Sequence, residues 1–432
     1  MDVVERRTLS RLVHRFSFGP KPGDFESYLS AGFSKSVDRI FSNATPDNYD
    51  VRNLLGINYL GIQPAQKTAE LTAYQAQKRN QMSTLTIWWL DQMVLKQHSI
   101  TERMAWFWHG HWSTSNSKVD DPMLMANHLT TLRNMSVGNF SEMARLMVMD
   151  GALVLWLDGQ RNTKNAPNEN LSRELMELFL LGVNRYTEID VKQIAKALTG
   201  YGIDPSSGTV IRDSKKSYLD PVTFLGTTGK YDAESLALEL VKTSSCERFI
   251  PERLWFRFVS TDTPLPQNHV SETQFKNREV LQAVRALITS DEFIYGNFPQ
   301  VKSPLEWLVG ILRAGNITPS LSPNPASLVE LLNSLGQRPF YPPTVGGWPA
   351  DDAWLTTASM MLRIQAAQNI MKYADLAPIS KLNVKSRVEG MAKWLGISVW
   401  SERTKAAFAT ALRDPVRLAV LGVCSPEYLV NA

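Results

Sequence analysis

Cysteine is nearly absent from this chain. Cys246 and Cys424 are the only two in 432 residues, far apart and in no CxxC pair, which excludes a disulfide framework and a zinc ribbon. Long apolar runs are missing too: no stretch approaches the roughly 18 to 20 residues that a membrane span needs. The first residues, Met1-Asp2-Val3-Val4-Glu5-Arg6-Arg7, lack the apolar segment of a secretory signal. Charge of one sign is not in excess, since 46 Lys plus Arg stand against 42 Asp plus Glu and leave +4. No basic block of the kind that tracks phosphates occurs, so nucleic acid is not an expected partner. These absences lead to the expectation of a reduced, soluble, cytoplasmic protein without a membrane span. No period of about 30 to 45 residues repeats, which disfavours a helical solenoid. GxSxG and HExxH do not occur, and Gly226-Thr227-Thr228-Gly229-Lys230 lacks the spacing of a phosphate loop.

What is present is helical punctuation. Ser99-Ile100-Thr101-Glu102 has capping-box spacing and opens a helix running to about Trp108, and Thr187-Glu188-Ile189-Asp190 is a similar start. Val191, Ile194, Ala195 and Leu198 follow at helical spacing, with Gly200 where a C-terminal cap belongs. Ser303-Pro304-Leu305-Glu306 opens another helix, with Leu305, Leu308, Val309 and Leu312 as its buried stripe. Further helices are expected near 8–15, 23–43, 67–97, 121–135, 139–149, 168–181, 232–243, 247–259, 272–291, 326–335, 355–373, 384–395, 401–412 and 414–421. Strand signals are confined to Thr209-Val210-Ile211 and Val222-Thr223-Phe224-Leu225, enough for a small β-hairpin near residues 205–230. The expected fold class is mainly α: a multi-helix globular bundle forming a single helical domain over 1–432, with a two-lobed split near residue 270 as second choice.

Three segments carry candidate chemistry. Met104-Ala105-Trp106-Phe107-Trp108-His109-Gly110-His111-Trp112 holds two of the six histidines. On a regular helix, side chains two residues apart point about 200° apart, so His109 and His111 converge only if the helix ends before Gly110. Imidazole is a metal ligand and the usual acid/base at neutral pH; packed core histidines bonded to backbone carbonyls are the plainer reading. The second segment runs from Asn168 to Gly182. At 100° per residue Leu171, Leu175, Leu178 and Phe179 form an apolar arc, with Leu180 and Leu181 on the other side, so the helix reads as buried on most faces. Arg173 can pair with Glu169 or Glu177, which leaves Glu174 in need of a partner, because an unpaired buried carboxylate costs several kcal/mol. A charge network between helices and a carboxylate facing the His109/His111 turn both satisfy that need. The third segment, Arg338 to Trp354, sets prolines beside Gly346 and Gly347, an ordered loop with close backbone approach. Trp348 and Trp354 offer flat faces for stacking or for covering the core, and Asp351 and Asp352 suit the first turn of the next helix. Cys246 begins a helical stretch that can lower a thiol pKa, although a buried inert cysteine is the commoner case.

Taken in order, these segments resemble the bacterial family filed as domain of unknown function 1800. The matching stretches begin with Phe16-Ser17-Phe18-Gly19-Pro20 and continue through Phe107-Trp108-His109-Gly110-His111 and Pro167-Asn168-Glu169-Asn170. They go on through Arg173-Glu174-Leu175-Met176-Glu177-Leu178-Phe179, Ala197-Leu198-Thr199-Gly200 and Val301-Lys302-Ser303-Pro304 to Gly347-Trp348-Pro349. The resemblance covers almost the whole chain but names no reaction. It implies relatives that often look exported and are encoded beside an exported protein with an alkaline-phosphatase-like fold. This chain departs from them in lacking a signal, and in having Gly346 where relatives tend to carry a lysine.

Two classes of function follow. In the first, His109, His111, Glu174 and Glu177 form the catalytic centre of a metal-dependent hydrolase or oxidoreductase. His109, His111 and Glu174 would hold iron, manganese or zinc, while Asn168, Asn170, Arg173 and Trp348 bind the substrate, an unspecified small molecule. In the second, the chain is a non-catalytic helical scaffold or binding protein acting with a protein partner, its tryptophans serving as contact residues.

Overall fold

Capping side chains set the helix starts. Thr187 and Asp190 cap each other at the head of the Glu188–Ala197 helix, and Ser303 and Glu306 do the same ahead of Pro304–Ala314. Val191, Ile194, Ala195 and Leu198 are buried, and Gly200 ends that stretch with φ +83°. The computed structural model describes residues 3–42, 44, 49–61, 63–65, 69–96 and 100–431. Among these the fold is mainly α: 25 α-helices and only small two-stranded antiparallel sheets. None of the described helices is long and apolar enough to cross a membrane.

Several expectations need correction. The helix expected over 23–43 is two, Asp24–Ala31 and Phe33–Ser42, broken at Gly32 with φ +78°. That expected over 272–291 is Val270–Gln274 and Val280–Ile288. Ser99, the proposed cap of the helix at 100, lies outside the described residues. The two strand signals do not pair with each other. Val210–Arg212 pairs with Tyr201–Ile203, and Val222–Phe224 with Thr227–Gly229. A third pair, Gln300–Val301 with Val430–Asn431, has no signal in either segment and brings the chain's end back beside residue 300.

The apolar side chains form two clusters, and the Ile100–His111 helix is a wall of both. Met104, Phe107 and Trp108 pack into one, with Phe140, Phe179 and Phe258. Ala105 and Trp106 pack into the other, with Trp89, Leu308 and Phe340. Buried charges pin the start of this helix. Glu102 accepts from Arg133 Nε at 3.0 Å and from Trp89 Nε1 at 3.0 Å, while Arg103 pairs with Glu306 and donates to the Arg15 carbonyl at 2.7 Å. Burial alone would raise the Glu306 carboxyl, but Arg103 and Arg257 beside it push its pKa down to about 2. Such pairs are worth keeping only when both partners are present, since either alone is a stranded buried charge.

Candidate functional site

The Ile100–His111 helix does not end at Trp108; it runs through Gly110. The two histidines therefore stay about 200° apart and enter different cores. The His109 ring packs against Trp89, Trp106, Phe340 and Trp348. The His111 ring packs against Phe107, Phe140, Phe179 and Phe249. The convergence expected of the His-Gly-His segment is not formed, because packing on both sides rewards continued helix more than glycine penalises it.

The partner of each ring fixes its tautomer. Phe340 N–H donates to His109 Nε2 at 3.0 Å, so the ring proton sits on Nδ1, which has no partner among the described residues. Six ångströms away, at a ring-centre distance of 6.1 Å, lies His128, whose Nδ1 meets Asp150 Oδ1 at 3.0 Å and whose buried Nε2 is also unpartnered. Burial, and then His128, hold His109 well below the usual histidine range. His111 is the reverse case. Its Nε2–H donates to the Phe179 carbonyl at 2.9 Å, leaving a lone pair on Nδ1 that is buried and unpartnered. Burial, and then the Arg253 charge, push its pKa down to about 3.

The Phe179 carbonyl is free to accept from His111 because it lies in the last turn of its helix, and that helix is not α throughout. Asn170–Glu174 is α-helical, but Leu175–Leu180 is a π-helix, and both Leu181 N–H and Gly182 N–H return to the Met176 carbonyl. Burial along this helix comes in pairs. Leu171-Ser172, Leu175-Met176 and Phe179-Leu180 are buried pairs every four residues, alternating with half-buried Arg173-Glu174 and Glu177-Leu178. This corrects the helical-wheel reading, which buried Glu174. Glu174 lies on the half-buried face and makes no hydrogen bond or ion pair among the described residues; burial, and then Glu177, raise its pKa. Glu177 accepts from Tyr186 Oη at 2.5 Å. Arg173 pairs with Glu188 at 2.6 Å and Glu169 at 3.3 Å, not with Glu177. Asn168 Oδ1 accepts from Asn170 N–H at 2.9 Å, and Asn170 Nδ2 donates to the Leu157 carbonyl at 3.1 Å. These two asparagines hold the helix entrance.

The residues proposed for iron, manganese or zinc do not fit an ion as they stand. One nitrogen of each imidazole is engaged by backbone, the rings face different cores, and among the described residues Glu174 bonds to neither. Among the described residues no group of three or more His, Cys, Asp and Glu side chains could hold a metal ion. Cys246 is the buried, unreactive cysteine that was the commoner expectation, its thiol pushed up to about 12 by burial.

A cavity of about 80 Å³ does open beside His111. Its walls come from Trp106, Phe107 and Gly110 on the same helix, from Arg253, Phe256 and Arg257 on the Ser244–Phe258 helix, and from Gly346, Trp348 and Pro349. Trp348 stacks on Trp106 at 5.0 Å and 30°, and its Nε1 is buried without a partner. His109 thus lies one layer behind this wall.

With that geometry in place, the match along the sequence can be read. The family model described as "Protein of unknown function (DUF1800)" fits residues 11–430. The chain belongs to this family. No curated protein and no solved structure matches it. The DUF1800 match spans every element that builds the cavity, including two residues with no place in the sequence reading, Arg253 and Arg257. A signal for Arg253 existed: its helical neighbours Phe249, Ile250, Phe256 and Arg257 offer no carboxylate at i±3 or i±4. An arginine without a local partner, in a helix whose apolar side is a core face, asks for a partner from elsewhere.

Proposed function

We propose that this protein binds a small ligand, or the end of a larger one, in the cavity beside His111, between its helix and the Trp348 loop. One observation carries this reading: a buried His111 with an unpartnered Nδ1 lines a cavity, next to a tryptophan Nε1 that also lacks a partner. Buried polar atoms are nearly always satisfied, so orphans gathered at a cavity mark a place where something else supplies the bonds. A water's share of liquid volume is about 30 Å³, so the space suits a head group of a few heavy atoms. A drug-sized molecule would need several hundred Å³. At neutral pH the His111 ring is uncharged and a poor proton acceptor, which favours binding over acid/base work. The catalytic reading of His109, His111, Glu174 and Glu177 draws no support from their separation.

A ligand screen by thermal shift tests this, run on the full chain and on the His111→Phe, Trp348→Ala and Glu174→Gln variants. A stabilising compound should lose its effect in the first two and keep it in the third. Equal shifts in all of them would remove the cavity from consideration.

The scaffold reading has one observation in its favour, an open apolar groove lined by Leu312, Ile317, Leu328, Ile370 and Tyr373, with Leu321 and Tyr373 well exposed nearby. A Tyr373→Asp change that leaves association with a co-purifying protein unaltered would take that support away.

A further inference from the structure

We infer that the group taken by the His111 cavity carries an anionic oxygen, as a carboxylate or a phosphate, with Arg253 as its counter-ion. This deepens the ligand-site reading above and rests on it. The Arg253 side chain makes no hydrogen bond or ion pair among the described residues; its Nε is buried and unpartnered, and its guanidinium carbon lies 5.7 Å from the Phe256 ring centre. One turn on, Arg257 also lines the cavity, but it is paired with Glu306 at 2.6 Å. Among the described residues Glu306 makes no pair with Arg253. One carboxylate oxygen is engaged by both Arg103 and Arg257, and the other accepts from Ser303 N–H at 2.9 Å. Two guanidinium groups therefore share one carboxylate while Arg253 has none, and among the described residues no acidic side chain lines the cavity. Arg253 is half-buried, with Nε enclosed and its terminal nitrogens open to the cavity side, and a bidentate oxyanion is the group whose geometry matches a guanidinium fork.

The other orphans refine the ligand. Trp348 Nε1–H is a donor, suited to a second oxygen of the same group. His111 Nδ1 is an acceptor, so a bare anion would repel it. The ligand meets it with an O–H or N–H, or His111 itself takes up a proton once an anion offsets the Arg253 charge. Proton uptake makes binding tighten as pH falls from 7 toward 5, whereas a ligand bringing a permanent O–H or N–H binds without that dependence.

The test is equilibrium dialysis of the full-length chain with acetate, inorganic phosphate and, as the uncharged counterpart, acetamide. The same three probes are then given to the Arg253→Gln and Arg253→Lys variants, with circular dichroism and thermal unfolding checking that each variant is folded. One equivalent of acetate or phosphate should bind per chain, and which of the two binds tells the carboxylate source from the phosphate source. Arg253→Gln should weaken it by about 10- to 100-fold, the loss of one charge-assisted contact. Arg253→Lys should recover part of that loss and serves if the glutamine variant is unfolded. Acetamide binding as well as the anions would overturn the anionic class while leaving the ligand site standing. Anion binding unchanged in both variants would overturn the assignment of Arg253. No binding of any probe by the wild-type chain would overturn this inference and the ligand-site reading together.

Discussion

Gly347 lies so close to Gly110 that a Cβ built on it would stand 2.6 Å from the Gly110 carbonyl oxygen. This approach seats the Trp348 loop on the helix that carries both histidines. Gly347 also has φ +87°, a conformation that L side chains rarely adopt. Gly110 is the opposite case: it is helical, and a Cβ there meets nothing within 4 Å. Two glycines in contact should therefore respond with opposite signs. Gly347→Ala should destabilise by about 1–3 kcal/mol, and Gly110→Ala should stabilise by about 0.5–1 kcal/mol. Urea unfolding of both variants decides, and two changes of the same sign would contradict this account of the loop.

How much of this was legible beforehand depends on the distance over which each feature is decided. Helix starts at Thr187 and Ser303 are local, since a cap and its N3 partner are three residues apart, and both form as read. The mainly α class follows from many such local signals. The end of the Ile100–His111 helix was not local. Gly110 argues for a break, yet cores on both sides, built from residues as remote as Phe258 and Phe340, keep the helix going. The π-helical Leu175–Leu180 stretch was not legible either, because buried Ser172 is polar and half-buried Leu178 is apolar, so the paired burial does not show in the residue types. Reading it at 100° per residue buried Glu174 and set Leu180 on the wrong face. The 200° separation of His109 and His111, by contrast, needed only the helix to continue. Arg253 stayed out of view because an unpartnered side chain is defined by what fails to reach it in space.

Glu102 and Arg133 are both almost fully buried and bonded at 2.5 to 3.1 Å. Replacing Glu102 by Gln leaves the Arg133 guanidinium inside the protein with no counter-charge. The expected cost is about 3–5 kcal/mol, read as a lowered urea midpoint with an unchanged slope. A loss below about 1 kcal/mol would mean that Arg133 escapes to water and that the pair does not pin the helix.

Glu174 should behave unlike a site residue. Its carboxyl is pushed upward in pKa by burial and by Glu177, with Arg173 opposing, so the charged form is disfavoured in the fold at neutral pH. A raised carboxylate pKa costs stability above the unfolded value near 4.3 and returns it as pH falls. Glu174→Gln should thus stabilise at pH 7, by less than about 1 kcal/mol once solvent screening of a half-buried face is allowed for. The gain should vanish near pH 4. A destabilised variant would point to a contact that the half-buried face does not provide.

His111 supplies the clearest pH signature. Its folded pKa, pushed down to about 3 by burial and the Arg253 charge, lies below the unfolded value of about 6.5. The unfolded chain therefore binds a proton that the folded chain refuses between those limits. His111 contributes its full stability above about pH 6.5 and loses it progressively as pH falls toward 3. His14 and His109, also buried and depressed, act in the same direction, so the unfolding free energy of the parent protein should drop steeply below pH 6. Each such histidine adds about 1.4 kcal/mol per pH unit to that slope. His111→Gln removes one of them. The variant starts from lower stability at pH 7.5, having exchanged the bond to the Phe179 carbonyl for a weaker one, yet its free energy should fall less steeply between pH 6 and 4.5. Urea unfolding at four or five pH values gives both slopes. Parallel lines for parent and variant would mean that His111 takes a proton in the folded state as readily as in the unfolded one, and that its ring is open to water.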